Sequence, residues 1–506
     1  MRLIAPGGID APAFAVFAFF FVLVSVMGFV AAKWRRPRTL AHIDEWGLGG
    51  RQFGTWITWF LVGGDFYTAY TVIAVPALVY ASGAYGFFAL PYTILVYPFV
   101  FAVMPRLWAV AAREGHVTAA DVVRGRFGSR PLEIAIALTG IIATMPYIAL
   151  QLVGMQVVIR ALGLAGDVPL IAAFVILALY TYSAGLRAPA LIAFVKDAMI
   201  YIVVIAAVVL IPVKLGGYAH VFDVAGAAFK AKGKPNTGIL LTGAQMLPYA
   251  TLALGSAFAG FMYPHTLTGV FAARSGDTIR KNAVLLPAYT LLLGLIAMLG
   301  YMAYAANVTA SSPTGIVPAL FRSLFPSWFA GFALAAIAIG ALVPAAVMSI
   351  GSANLFTRNI YKSSINPAAT PADEARVAKA ASLLVKVGAL MAIIFLPTEF
   401  AIDLQLLGGV WILQTFPALV MGLFNRGLGA TGLLAGWVIG IVLGSGLAWV
   451  NALKPVYPVP LGAHHYGVYI GLIALAANMI VSYAVSAVTQ QEAANTTAAN
   501  PGPRWG

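Results

Sequence analysis

Apolar residues in this chain run unbroken for about twenty positions at a time, and short polar connectors separate the runs. Thirteen such runs lie near 12–32, 56–80, 85–105, 132–159, 168–184, 189–213, 240–264, 282–306, 328–357, 378–397, 402–424, 428–450 and 465–488. A helix of about 20 residues crosses the hydrocarbon core of a bilayer. In lipid the backbone must satisfy its own hydrogen bonds, so runs of this length are predicted to be helices rather than the short alternating strands of a barrel. The predicted fold is an all-α polytopic membrane protein with 13 transmembrane helices. Residues 1–488 form one transmembrane domain. The stretch 489–506 (TQQEAANTTAANPGPRWG) has no apolar period and is expected to be a disordered tail.

Composition agrees: 61% of residues are hydrophobic and 9% are charged, against about 25% charged in ordinary soluble proteins. The net charge of +14 resembles that of a nucleic-acid binder, but the basic residues sit in connectors between apolar runs, which is the footprint of topology. Twenty of the 30 Lys and Arg residues fall on the side of the 33–55 connector, eight fall on the other, and Lys196 and Lys386 lie inside runs. The positive-inside rule then places the N-terminus outside and the C-terminus in the cytoplasm of a bacterial-type inner membrane. The first run is not read as a cleavable signal, since its charges, KWRRPR at 33–38, follow the apolar stretch. Zero cysteines exclude disulfides, thiolate metal sites and cysteine nucleophiles. His42, His116, His220, His464 and His465 fall in or near connectors without metal-ligand spacing, so no cofactor is expected. No Walker, GxSxG or HExxH pattern occurs, and the chain is not read as an enzyme.

Three ionisable residues inside runs carry chemistry. Asp65 stands in WFLVGGDFYTAY (59–70), directly after two glycines. A central Asp costs about 2.5–3.5 kcal/mol, and each glycine weakens a helix by about 0.8–1 kcal/mol relative to Ala. A helix broken there exposes backbone groups, which is tolerable where they line a cavity or bind a ligand. Asp65 then either holds a cation or proton, or caps the second half-helix. Lys196 and Asp197 lie deep in the sixth run. Adjacent residues point about 100° apart on a regular helix, so the two are not expected to pair face to face. Lys196 either turns inward to an oxygen or snorkels to the cytoplasmic face. Lys386, eight residues into its run, is expected to snorkel.

The segments ALVPAAVMSIGSANLFTRNIYK (341–362), GLRAPALIAFVKDAMIYIVV (185–204) and FAARSGDTIRKNA (271–283) resemble the sodium:solute symporter family along nearly the whole chain. With AFVKD and FMYPHTLTGVFAAR (261–274), the chain is most like the family's monocarboxylate permease branch. The resemblance implies a LeuT-type architecture of two inverted five-helix repeats, spans 2–6 and 7–11. The first helix of each is broken, near Gly63–Gly64 and near Gly255 and Gly260. It also implies import of pyruvate, lactate, acetate or propionate by alternating access, with H⁺ or Na⁺ as coupling ion and a monomer sufficient for transport. The family's sodium site uses two adjacent hydroxyls on span 9 with carbonyls at the span-2 break. Here that pair is Ser349–Ile350, and isoleucine offers no oxygen; Ser352 lies three residues on. In proton-coupled relatives of the LeuT fold, a lysine on the corresponding helix resembles a stand-in for sodium. Lys196, Asp197 and Asp65 are therefore the candidate proton carriers, and Asp65, Ser349 and Ser352 the candidate sodium ligands.

Half-helix N-termini suit an anion. Around the breaks stand Phe66, Tyr67, Thr68, Tyr70 and Thr71 on span 2, and Ser256, Tyr263 and His265 on span 7. Facing them in the implied fold are Tyr147 and Gln151 on span 4, with Gln405, Trp411 and Gln414 on span 11. The place of His265 in YPH also fits a helix end. The rival readings are a sodium symporter of an amino acid, vitamin or sugar, and a transporter-fold membrane sensor. A sensor would carry a signalling domain, for which 489–506 is too short.

Overall fold

The computed structural model describes residues 8–34, 42–65, 67–395, 401–425, 427–462 and 464–499. Phe66, Arg2, residues 35–38, Arg426 and Arg504 lie outside the described residues. The architecture is helical, and among the described residues nine helices are long and apolar enough to cross a membrane.

The elements that build the site are α1 (Ala11–Val30), the half-helices α2 (55–63) and α3 (70–82), and α4 (Ala89–Glu114). Next come α5 (Arg130–Ala161), α6 (Val168–Ala184), α7 (Arg187–Lys214) and the half-helices α8 (Gly243–Gly260) and α9 (Pro264–Ala272). They are followed by α10 (Pro287–Ala305), α11 (Ile316–Leu324), α12 (Ser327–Leu355), α13 (Pro371–Phe395), α14 (Ala401–Ile412), α15 (Ala430–Val450) and α16 (Ile470–Ala499). The last helix continues past Val488, where the final span was expected to end.

The core is organised around α12, whose residues Ala333 to Leu355 are all buried. Its sequence explains why: alanine and glycine dominate, and small residues let neighbouring backbones come close. Gly331 sits against the backbone of Ala13 on α1, Gly340 against Ile200 on α7, and Gly351 against the Pro264–His265 backbone at the start of α9. One column therefore fixes a scaffold helix, the lysine-bearing helix and a half-helix relative to each other.

The helices α15 and α16 pack most extensively on each other. Gly432, Gly436, Gly440 and Gly444 recur every fourth residue and face Ser486, Ser482, Asn478 and Ala474, a small-xxx-small seam. The chain reaches α16 through an antiparallel hairpin, β1 (Val456–Leu461) and β2 (His464–Tyr469), paired from Val456↔Tyr469 to Leu461↔His464. Prolines at 458 and 460 hid this strand from the sequence pattern, since proline gives no ladder N–H.

The two ends of the bundle differ in chemistry. At one end Asn359 donates to Asp121 (2.7 Å) and Glu133 (2.9 Å), and Arg358 donates to Glu374 (3.0 Å). Arg124 joins Glu133, and Lys362 joins Glu374. These ties bind the start of α5, the wide-turn segment Phe356–Ile365 after α12 and the start of α13 into one charged plug.

Candidate functional site

The two broken helices meet at the centre. Between α2 and α3 the chain leaves helical geometry at Asp65, Tyr67 and Thr68, and between α8 and α9 around Phe261 to Tyr263. The second break comes after Gly260 rather than at Gly255, and Tyr263 enters α9 in extended conformation (φ −64°, ψ 140°). His265 is thus in the first turn of the second half-helix.

The Gly64 carbonyl at the first break accepts the Tyr67 N–H at 3.0 Å and takes a second donor from α7. Lys196 Nζ donates to the Gly64 carbonyl at 2.6 Å and lies 2.9 Å from Asp197 Oδ1, with both side chains 0% exposed. The Tyr289 hydroxyl donates to Asp197 Oδ2 at 2.7 Å. Lys196 therefore does not snorkel. Its pairing with Asp197 corrects the expectation that neighbours 100° apart cannot meet. The two Cβ directions do diverge, but the four-carbon stem lets the ammonium fold back onto the next carboxylate. Gly64 is needed here, since a Cβ would lie 2.6 Å from Lys196 Nζ and 3.0 Å from Asp197 Oδ2. Asp65, one residue on, is 7% exposed, and its Oδ2 has no hydrogen-bond partner.

The start of α3 is closed by other residues. Gln151 Oε1 accepts the Ala69 N–H at 2.9 Å and Thr68 Oγ1 accepts the Tyr70 N–H at 3.0 Å. Thr68 and Gln151, expected at the substrate, are instead caps. Tyr67 turns away, its hydroxyl donating to the Tyr289 carbonyl (3.3 Å) beside the lysine. The α9 N-terminus has no side-chain cap, and its first-turn N–H groups lack intrahelical partners.

Beside that terminus lies a cavity of about 40 Å³, room for about three waters or one compact solute. Of the expected residues it is lined by Asp65, Tyr70, Tyr147, Ser256, Tyr263, His265 and Gln405. Asp65 Oδ2, His265 Nδ1 and Gln405 Oε1 are buried there without partners. Tyr92, Thr266 and Tyr469 line it as well and were not anticipated. Thr266 follows His265 and could have been named with it. Tyr469 comes from the hairpin, and its hydroxyl donates to the Leu406 carbonyl at 2.7 Å.

Trp411 and Gln414 lie away from the cavity. Trp411 Nε1 donates to Ser445 on α15 (3.0 Å), and Gln414 Oε1 accepts from Asn478 on α16 (3.1 Å). Their helix has a second face toward the last two helices, which span-level reasoning did not separate. Thr71 is buried in α3 and does not line the cavity. Ser349 and Ser352 are fully buried on α12. Ser349 donates to the Ala346 carbonyl (2.8 Å) and accepts from Ser382 (3.2 Å), while Ser352 Oγ has no partner. Lys386 is 1% exposed and donates to Ser382 at 2.8 Å, so it points into the bundle instead of snorkelling.

The sodium:solute symporter family profile matches residues 46–440. The chain belongs to the sodium:solute symporter family. A monocarboxylate transport permease protein of Rhizobium johnstonii is 69% identical over 485 residues, covering 96% of this chain and 98% of that protein. An uncharacterised symporter of Bacillus subtilis, YodF, is 34% identical over 475 residues, covering 92% of each. Among solved structures, a Na⁺-coupled sialic acid symporter in a substrate-bound, outward-open state superposes with a TM-score of 0.77 at 16% identity. That match covers 94% of this chain and 98% of the other. The resemblance read from the span-9 and span-6 segments is borne out, including its lean toward monocarboxylate permeases. The chain is a multi-pass membrane transporter of the symporter class, not an enzyme.

Proposed function

We propose that this symporter imports small monocarboxylates such as pyruvate, lactate, acetate and propionate by alternating access, driven by protons. In this reading 13 helices span the inner membrane with the N-terminus outside and the C-terminus in the cytoplasm. Spans 2–6 and 7–11 form inverted repeats, and a monomer suffices. The acid binds in the central cavity with its carboxylate toward the α9 N-terminus, among Tyr70, Tyr147, Tyr263 and Tyr469. The name of the Rhizobium relative and the small cavity support a compact acid over a sugar.

The observation that carries the coupling is the Lys196 ammonium on the Gly64 carbonyl. That carbonyl lies at the break where a family sodium ion would seek oxygen, and a tethered cation already takes it. Asp65 supports the same reading. An ionised Asp65 would repel a carboxylate in the shared cavity, and a proton between them removes the repulsion. A sodium reading has one observation in its favour: Asp65 Oδ2 and Ser352 Oγ are buried oxygens without partners.

The experiment is pyruvate uptake into proteoliposomes with Na⁺ and pH gradients imposed separately. Uptake driven by an inward proton gradient without Na⁺, lost in Lys196→Ala while pyruvate exchange persists, is the expected result. Strict Na⁺ dependence sinks proton coupling, and no pyruvate uptake under either gradient sinks the substrate.

A further inference from the structure

At the end of the bundle that holds Gly8, Lys214 and Tyr304, two of the described basic side chains are engaged by protein groups. Lys214 donates to the Leu324 carbonyl at 2.6 Å, and Lys232 donates to the Tyr304 hydroxyl at 2.7 Å while lying over the Tyr80 ring. The side chains of Lys230 and Lys234 are not engaged by described residues, and nor are those of the two arginines, Arg160 and Arg322. Among the described residues neither has an acidic partner or a hydrogen bond. Both line one cavity of about 240 Å³ together with Ser311 and Ser312.

Its position matters more than its size. Arg160 ends α5, whereas Arg322 is on α11, a short helix that lies with the turn Pro313–Gly315 over the half-helix α3. The cavity is thus a seam between a long helix and a capping segment, above the element whose Tyr70 lines the central cavity. Two guanidinium groups facing one wet space repel each other. An anion held between them replaces that repulsion with charge-assisted, potentially bidentate hydrogen bonds, and the serine hydroxyls offer further donors.

We propose that this seam is a second, outer binding site for a small carboxylate, where the acid is held before it reaches the central cavity. The inference rests on the monocarboxylate reading and adds a place to it. Bound there, the carboxylate ties the capping segment to α5. The pair also concentrates anions at the mouth, an effect that salt weakens.

The test is equilibrium binding of radiolabelled pyruvate to the full-length protein in phosphatidylcholine nanodiscs. Two equivalents per chain are expected, falling to one in Arg160→Gln/Arg322→Gln. In low-salt uptake the double variant should need about tenfold more pyruvate for half-maximal rate, a gap that closes near 1 M salt. Arg160→Lys/Arg322→Lys, which keeps the charge, should lose the second equivalent yet retain most of the low-salt uptake advantage. One equivalent in wild type, unchanged in the glutamine variant, overturns the outer site and leaves the central one standing. No binding at all overturns the monocarboxylate reading itself. Loss of the second equivalent on adding phosphatidylglycerol overturns the solute assignment in favour of a lipid phosphate.

Discussion

Lys196→Met probes the buried pair most directly. It leaves Asp197 fully buried with the Tyr289 hydroxyl at 2.7 Å but no cation, and it leaves the Gly64 carbonyl with the Tyr67 N–H alone. Breaking a buried ion pair from one side costs about 3–5 kcal/mol, because the remaining charge is uncompensated. At about 1.4 kcal/mol per decade, the unfolding equilibrium shifts by roughly two to three and a half orders of magnitude. Adding Asp197→Asn removes the stranded charge while the amide can still accept from Tyr289. The double variant should therefore recover all but the lost Gly64 bond, about 0.5–1.5 kcal/mol. The assay is reversible unfolding in detergent followed by tryptophan fluorescence. The deficit of Lys196→Met should shrink toward acid pH, where a proton can neutralise Asp197. A single variant within about 1 kcal/mol of wild type, or a double variant worse than the single, would refute the buried pair.

Three further outcomes are expected. Gly64→Ala places a Cβ 2.6 Å from Lys196 Nζ, so proton-driven uptake should be lost while folded protein is still recovered, and retained uptake would count against the tight approach. Tyr469→Phe gives up the bond to the Leu406 carbonyl at the cavity wall, about 0.5–1.5 kcal/mol. It should raise half-maximal pyruvate about two- to tenfold, whereas Gln414→Ala, away from the cavity, should lower thermal stability and leave that concentration alone. Gly436→Leu forces a side chain into Asn478 and Ser482, at about 1–3 kcal/mol for overpacking. Folded yield should drop, with unchanged half-saturation among the molecules that fold.

The helices were legible because long apolar runs bounded by charge leave the backbone few alternatives. The break at Asp65 was legible for the same reason, since a carboxylate after two glycines is too costly to be incidental. What escaped the sequence depends on direction. Lys196 and Lys386 both had a snorkelling route, and only packing against α2 and against Ser382 decides that both turn inward. Thr68 and Gln151 carry the same donors and acceptors whether they cap a helix or hold a solute, so their caps emerge only with α3 and α5 side by side. Tyr469 was missed because it was read into the last helical span, whereas it ends a hairpin whose first strand is disguised by prolines.

Gln414 lies within the turn Leu413–Thr415, where α14 loses regular helical geometry. Its carbonyl accepts from Asn478 Nδ2 at 3.0 Å, some sixty residues later in the chain. In hydrocarbon an irregular turn is tolerated where protein groups satisfy its backbone, so this turn is expected to gain stability when the last helix arrives. During synthesis the eleventh segment should remain beside the translocon, completing its insertion only when residue 478 emerges from the ribosome, and a nascent chain stopped before that point would hold a half-formed, chaperone-dependent bundle.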